Sequence, residues 1–352
     1  MAKPIRILIL GTGGMAANHA EHFAKIKGVS LVGGVDTQPE QLKTFCAKHK
    51  IRKTFATLEA ALAWGEFDAV TNVTPDAAHY ATTMPVLAAG KHILCEKPLA
   101  TSEAQAQAMA DAAAVAGVVN MVNLSYRNVA SLQKAAQMVA EGAIGEVRHF
   151  EASYLQSWLT QPAWGHWDSE SKWLWRLSTQ HGSKGVLGDV GIHILDFATF
   201  IAGQTVQEIS ARLATFAKAP GDKIGDYPLD ANDSVAIHLR LANGALGTVG
   251  ATRFASGHLN DLRLRIYGTK GGLEVQWERD TSTLRACLAT DLESAIWADV
   301  DCPVLGTIYQ RFIAAIRGEG VADPDFARGA ALQKMLDRAE QSAAQGGLSL
   351  TV

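Results

Sequence analysis

Apolar and polar positions along this chain follow one grammar up to about Asn123 and another beyond it. The opening run Ile5-Arg6-Ile7-Leu8-Ile9-Leu10 is almost wholly apolar, as in a parallel strand buried on both faces. Similar runs predict strands over Ser30–Val35, Asp68–Val73, His92–Cys95 and Val118–Val122. Helices are predicted between them, from about Gly14 to Lys27, Pro39 to His49, Thr57 to Trp64, Ala77 to Ala89 and Ser102 to Ala116. Strands alternating with helices imply right-handed crossovers and a parallel sheet. Residues 1–123 are therefore expected to form one doubly wound α/β domain.

After a predicted helix over Val129–Glu141 the runs become longer and alternate in polarity. They predict strands over Val147–Tyr154, Val206–Phe216, Asp233–Leu241, Ala245–Ala251, Leu262–Gly268 and Leu273–Trp277. Asn243-Gly244 and Gly271-Gly272 supply hairpin turns. One helix is expected over Lys184–Ile201, an exposed loop over Ala219–Asp230, and a C-terminal helix over about 326–345 that packs back across the domains. Residues 124–352 are thus expected to form an α+β domain with a largely antiparallel open sheet.

Hydrophobic residues make up 48% of the 352 and charged residues 19%, enough for two soluble domains with a substantial core. A net charge of −3 offers no basic surface to nucleic acid or to an anionic membrane. The four cysteines are scattered with no C-x-x-C pair, so neither a zinc site nor a disulfide framework is indicated and a reducing cytoplasm fits. The N-terminal apolar run is too short for a signal-peptide core or a membrane span.

The chemistry begins where the first strand ends, in Gly11-Thr12-Gly13-Gly14-Met15-Ala16. Gly11 allows the tight turn, Gly13 lets backbone approach a pyrophosphate, and Ala16 stands at the third glycine of a G-x-G-x-x-G fingerprint. The helix opened by Gly14 and Met15 aims its N–H groups at phosphates. Asp36 ends the second strand, where an acid accepts hydrogen bonds from the adenine-ribose hydroxyls. Thr37, Gln38 and Pro39 follow, with no arginine to offset a 2′-phosphate, so NAD is expected over NADP. The first domain is accordingly read as a dinucleotide-binding Rossmann domain. The plainer alternative is a structural glycine turn beside a surface aspartate.

Glu96-Lys97-Pro98 follows a later strand of the same sheet. A lysine there is partly desolvated, and its ammonium stabilises a developing alkoxide. Asp189 and His193 are four apart and share one face if the segment is helical. Oxidising an alcohol needs a group to take the hydroxyl proton as hydride leaves carbon, and histidine titrates in the right range. Asp189 then orients His193, favours its protonated form or bonds the substrate; the alternative is a helix cap beside a satisfied histidine. Five of eight tryptophans, Trp158, Trp164, Trp167, Trp173 and Trp175, crowd one segment with His166, Asp168, Lys172 and Arg176. Such a segment suits the C–H face and hydroxyls of a sugar ring, and equally an oligomer interface or a loop anchored in the core. Arg253 and His258 are further pocket candidates, against a solvated hairpin end.

Taken together these residues resemble the glucose–fructose oxidoreductase / inositol dehydrogenase family (Gfo/Idh/MocA) over nearly the whole chain. The resemblance rests on Gly11 to Ala16, Thr74-Pro75 with His79, Glu96-Lys97-Pro98, Gly188 to Asp196, and the turn Tyr267-Gly268-Thr269-Lys270-Gly271. It implies a cofactor site of Gly11, Thr12, Gly13, Gly14, Met15, Asp36, Thr74, Pro75, His79, Glu96, Lys97 and Asn123, with Glu96 near the nicotinamide end and a cis Lys97–Pro98 bond. It implies a catalytic set of Lys97, Asp189 and His193 with no metal. The substrate set is Lys97, Arg127, Trp158, Trp175, Arg176, Asp189 and His193. For Arg127 an interdomain salt bridge is the alternative, and Asp196 is expected to support its helix. The expected activity is NAD-dependent hydride transfer from a secondary alcohol of a sugar, anhydrosugar, sugar acid or cyclitol. A tightly cofactor-bound sugar–sugar oxidoreductase, a redox-assisted glycosidase and a non-enzymatic dinucleotide-sensing regulator are the alternatives. The resemblance also implies a homodimer or homotetramer. The open sheet face is then buried between subunits, since its alternation is expected to leave that face broadly apolar.

Overall fold

With no polar face to offer solvent, β1 (Ile5–Leu10) sits in the middle of its sheet, between β2 (Val29–Val35) and β4 (Ala69–Asn72). With β3 (Lys53–Phe55), β5 (His92–Cys95) and β6 (Asn120–Val122) it forms a wholly parallel sheet in the order β3-β2-β1-β4-β5-β6. That is the order of a dinucleotide-binding doubly wound fold. The intervening helices are α1 (Gly14–Ala24), α2 (Pro39–Lys48), α3 (Leu58–Trp64), α4 (His79–Ala88) and α5 (Glu103–Ala116). α5 starts at Ser102, whose hydroxyl accepts from the Gln105 amide, and stops at left-handed Gly117. α1 turns Ala16, His19, Ala20 and Phe23 into the core.

The computed structural model describes residues 4–352 and divides into two units. The first runs to Ser125 and takes up Gly306–Gln333; the second comprises Tyr126–Leu305 and Lys334–Val352. The expectation placed everything beyond 123 in the second domain, whereas Gly306–Gln333 clusters with the first unit. Ile308, Tyr309, Phe312 and Ile313 of helix Ile308–Ile316 share one core with Ala16, Ala20 and Phe23. The C-terminal helix Phe326–Ala344 gives its start, through Gln333, to the first unit and the rest to the second.

The second unit contains α6 (Ala130–Ala140), β7 (Val147–Leu155), α7 (Ser171–Leu174), α8 (Ile192–Ala202), β8 (Val206–Ala214), β9 (Lys223–Ile224) and β10 (Tyr227–Pro228). It continues with β11 (Ser234–Leu241), β12 (Leu246–Thr252), β13 (Asp261–Gly268), β14 (Gly271–Glu278), β15 (Thr281–Leu288), α9 (Asp291–Ser294), β16 (Ala298–Asp299) and β17 (Leu350–Thr351). The main sheet runs β16-β15-β14-β13-β7-β12-β11-β8-β17, antiparallel except for the β7–β12 pair. The stretch Ala219–Asp230, expected as an open loop, instead holds the β9–β10 ribbon and buries Leu229.

Alternation in these strands sorts the two faces cleanly. Phe150, Ala152 and Tyr154 of β7 and Leu262, Leu264 and Ile266 of β13 are buried, with α6 and α8 packed on the sheet. α8 is apolar nearly all round and is buried along its length. The intervening positions carry Glu151, Arg263, Arg265, Glu274 and Arg285, with Arg265 and Arg285 both paired to Glu274 at 3.4 and 3.3 Å. The expectation of a broadly apolar open face is therefore corrected: that face is charged, because the apolar half of each strand is already covered. No helix of the described residues is long and apolar enough to cross a membrane.

Candidate functional site

Gly11 has φ +87°, and a Cβ there would lie 2.7 Å from the Val73 carbonyl oxygen, so the turn admits only glycine. Gly13 and Gly14 differ: a Cβ on either would meet nothing within 4 Å. The protein's own packing does not demand bare backbone there, whereas a phosphate approaching the start of α1 does. The turn thus fits a dinucleotide. Behind it, Ala16 is fully buried.

Asp36 is held by the turn it faces. Its Oδ2 accepts from the Thr12 amide at 2.8 Å, the Thr12 hydroxyl at 2.7 Å and Gln41 Nε2 at 3.1 Å, and Oδ1 accepts from the Gln38 amide at 2.9 Å. Burial opposes its charge, but these hydrogen bonds outweigh it and hold the carboxyl below its ordinary range. Gln41, one turn into α2, is a neighbour that sequence reasoning passed over.

The Lys97 corner is built on three buried polar groups of the same unit. Glu96 Oε1 meets His19 Nε2 at 2.7 Å and accepts from Asn123 Nδ2 at 2.6 Å, while Oε2 accepts from the Lys97 amide at 3.2 Å. Burial pushes Glu96 up, but His19, Asn123 and the Lys97 charge bring it down to about 2. His19 also meets the Thr71 hydroxyl at 2.6 Å, and its ring packs edge-on against Tyr309. His19 was missed from sequence; its only signal is a histidine on the apolar stripe of α1. Asn123 Oδ1 is buried with no hydrogen-bond partner among the described residues.

His79, expected to contact cofactor, is fully buried instead. Its Nδ1 lies 2.8 Å from the Pro98 carbonyl and its Nε2 2.9 Å from the Thr74 carbonyl. This corrects its role: it ties the Thr74-Pro75 turn to the Lys97-Pro98 turn. The Lys97–Pro98 peptide is cis, as the resemblance implies. Thr74 is braced in turn by Asn72 Oδ1, which accepts from its hydroxyl at 2.7 Å.

In the second unit the helix expected over 184–201 opens with a wide π turn, Leu187–Gly191, before α8. Asp189 lies in that turn. Its Oδ1 accepts from Arg176 Nη1 and its Oδ2 from Arg253 Nη2, both at 3.1 Å. His193 is 8% exposed, and its ring meets Tyr126 edge-to-face with centroids 5.0 Å apart. The Tyr126 and Tyr154 hydroxyls share a 2.5 Å hydrogen bond, and Tyr154 donates to Asn260 Oδ1 at 2.9 Å. Burial pushes Tyr126 up to about 12, so it stays a hydroxyl. Tyr154 and Asn260 were not anticipated.

Three expected substrate contacts fare differently. Arg127 is 1% exposed, donates to Asp196 at 2.6 and 2.9 Å and lies over the Phe200 ring. It forms a core ion pair with Asp196 within its own unit, so its guanidinium is sealed rather than offered to a substrate. Trp158 is 4% exposed in a satellite core with Leu159, Leu174, Leu177 and Leu229, and the Arg253 guanidinium lies over its ring. It has no face to give a sugar, and Trp164, Trp167 and Trp173 pack on the same cluster. Trp175, 39% exposed with the Arg176 guanidinium over its ring, is the most exposed of the five. Arg253 is sealed rather than solvated.

Comparison with known proteins identifies the family. Residues 5–124 match the oxidoreductase family with NAD-binding Rossmann fold, and residues 132–274 match the GFO/IDH/MocA C-terminal domain. An oxidoreductase domain protein from Kribbella flavida superposes with a TM-score of 0.87 at 30% identity over 100% of both chains. The chain belongs to this oxidoreductase family, and its first unit is an NAD-binding Rossmann domain. Levoglucosan dehydrogenase of Pseudarthrobacter phenanthrenivorans is 33% identical over 232 residues, which is 62% of this chain and 57% of that relative. The match thus spans less than two thirds of that relative's length. A structure of levoglucosan dehydrogenase in complex with NADH and levoglucosan has a TM-score of 0.85 at 26% identity, covering 99% of this chain and 100% of that one.

Proposed function

We propose that this protein is an NAD-dependent dehydrogenase acting on a secondary alcohol of a sugar, anhydrosugar, sugar acid or cyclitol. The observation that carries this reading is the bare backbone of Gly13 and Gly14, facing open space, in a family member that keeps Lys97, Asp189 and His193. Gly11 to Met15 and Asp36 would hold the pyrophosphate and adenosine of NAD, with Thr74, Pro75, Lys97 and Asn123 towards the nicotinamide. Bound NAD supplies the hydride acceptor. His193 takes the hydroxyl proton, Lys97 stabilises the developing alkoxide, and Asp189 fixes the local charge. The likeness to levoglucosan dehydrogenase supports a sugar or anhydrosugar as substrate class. Asp36 with no neighbouring arginine supports NAD over NADP.

The test is a panel of sugars, anhydrosugars, sugar acids and cyclitols incubated with NAD and followed by NADH absorbance. At least one class should release NADH. Cofactor that copurifies and never leaves, with hydride passing between two sugars, would replace this reading by that of a sugar–sugar oxidoreductase. We infer further that the protein is a homodimer or homotetramer in a reducing cytoplasm, in keeping with the family resemblance and with Cys46, Cys95, Cys287 and Cys302 as free thiols.

A further inference from the structure

Arg253 follows β12 and is 0% exposed, an unusual place for a guanidinium. Its Nη2 donates to Asp189 Oδ2 at 3.1 Å and its Nη1 to the Arg176 backbone carbonyl at 3.1 Å, while Trp158 covers one face. Arginine keeps its proton in proteins, so a sealed guanidinium needs an anion. Burial works against the Arg253 charge, and the Asp189 charge and hydrogen bond work for it. Asp233 is the other acid that favours that charge, but the Lys218 ammonium, itself buried, lies 2.5 Å from its Oδ2. Asp189 is therefore the counter-ion of Arg253. The dependence is mutual: with Arg176 on Oδ1 and Arg253 on Oδ2, both oxygens of Asp189 are aimed by fixed donors.

We propose that Arg253 is a positioning residue for the dehydrogenase reaction: from beneath the Trp158 ring it fixes the charge and direction of the Asp189 carboxylate, four residues before His193. It also pins the Arg176 carbonyl, so one guanidinium ties the tryptophan-rich segment to the π turn that carries Asp189. Lysine has charge without the planar fork and cannot make both bonds in this way. The inference rests on the reading of Asp189 as a group that works at the reacting hydroxyl.

The test compares Arg253→Met, Arg253→Lys, Asp189→Asn and the Arg253→Met/Asp189→Asn double variant. It reads kcat and KM on a substrate the wild type oxidises, NADH affinity by fluorescence titration, and thermal melting. Arg253→Met should lower kcat by about tenfold to a hundredfold, the scale of a misaimed group, and leave NADH affinity unchanged. Arg253→Lys should fall between Arg253→Met and wild type. In the double variant, loss of Arg253 should cost almost nothing beyond loss of Asp189. If Arg253→Met does not fold, Arg253→Lys decides: reduced kcat with a native melt supports the proposal, and wild-type kcat overturns it. A folded Arg253→Met with wild-type kcat, while Asp189→Asn is impaired, overturns the proposal alone. Wild-type kcat in Asp189→Asn overturns the role of Asp189 itself and the proposal with it.

Discussion

Four protein donors meet the Asp36 carboxylate from Thr12, Gln38 and Gln41, so its charge stands fixed beside the phosphate turn. A 2′-phosphate brought to this point meets an anion, and the three residues that follow, Thr37, Gln38 and Pro39, include no arginine to offset it. The kcat/KM for NAD should exceed that for NADP, and Asp36→Ser should narrow the gap; a wild-type preference for NADP would contradict the reading. At His79 both ring nitrogens face carbonyl oxygens, which only accept, whereas a neutral imidazole carries one N–H. Geometry therefore calls for the imidazolium. Burial opposes that charge, but Cys95, Asp76 and the Pro98 carbonyl outweigh it and push His79 from 6.5 up to about 10. A raised folded-state pKa stabilises fully below pH 6.5 and is lost as pH rises through about 10. Melting curves from neutral to alkaline pH should show wild type losing stability over that window, and His79→Gln starting lower but falling less. Parallel declines would refute a charged His79.

At the scale of elements, what was legible was what one local signal decides. The apolar run of β1, its glycine turn and Asp36 announce the parallel sheet and cofactor cradle, and the alternation in β7 and β11–β14 announces the second sheet. β3 escaped because it is three residues long and half exposed. β15 escaped because Thr281–Leu288 follows β14 through a tight Arg279-Asp280 turn that lacks glycine, although both residues have positive φ. The helix Ile308–Ile316 is strongly amphipathic, but which core it closes is a matter of long-range packing. Arg127 and Trp158 were misread for the same reason. A motif shows that an arginine or tryptophan is near the chemistry, and only packing shows that Asp196 or Arg253 already occupies it. The π turn at Leu187–Gly191 is likewise invisible to a four-residue spacing argument, and it places Asp189 between two guanidiniums.

At the scale of the whole molecule, the charged open sheet face changes what a subunit interface must be made of. A homo-oligomer using that face would enclose charged side chains such as Glu151, Arg263 and the Arg265–Glu274–Arg285 cluster, so its contacts would be polar and high salt should weaken it. Light scattering at micromolar concentration should give two or four chains, and the mass of one chain would reject the inference. In the proposed reaction an alcohol is oxidised with His193 as the proton acceptor. The most direct test is kcat for His193→Asn on a substrate from the NADH panel. His193→Asn keeps the side chain's approximate bulk against Tyr126 and cannot take the proton. With His193 as that acceptor, kcat should be lower by roughly two to four orders of magnitude with NADH affinity unchanged. A His193→Asn enzyme with near-wild-type kcat would contradict it, leaving His193 as a packing residue of α8.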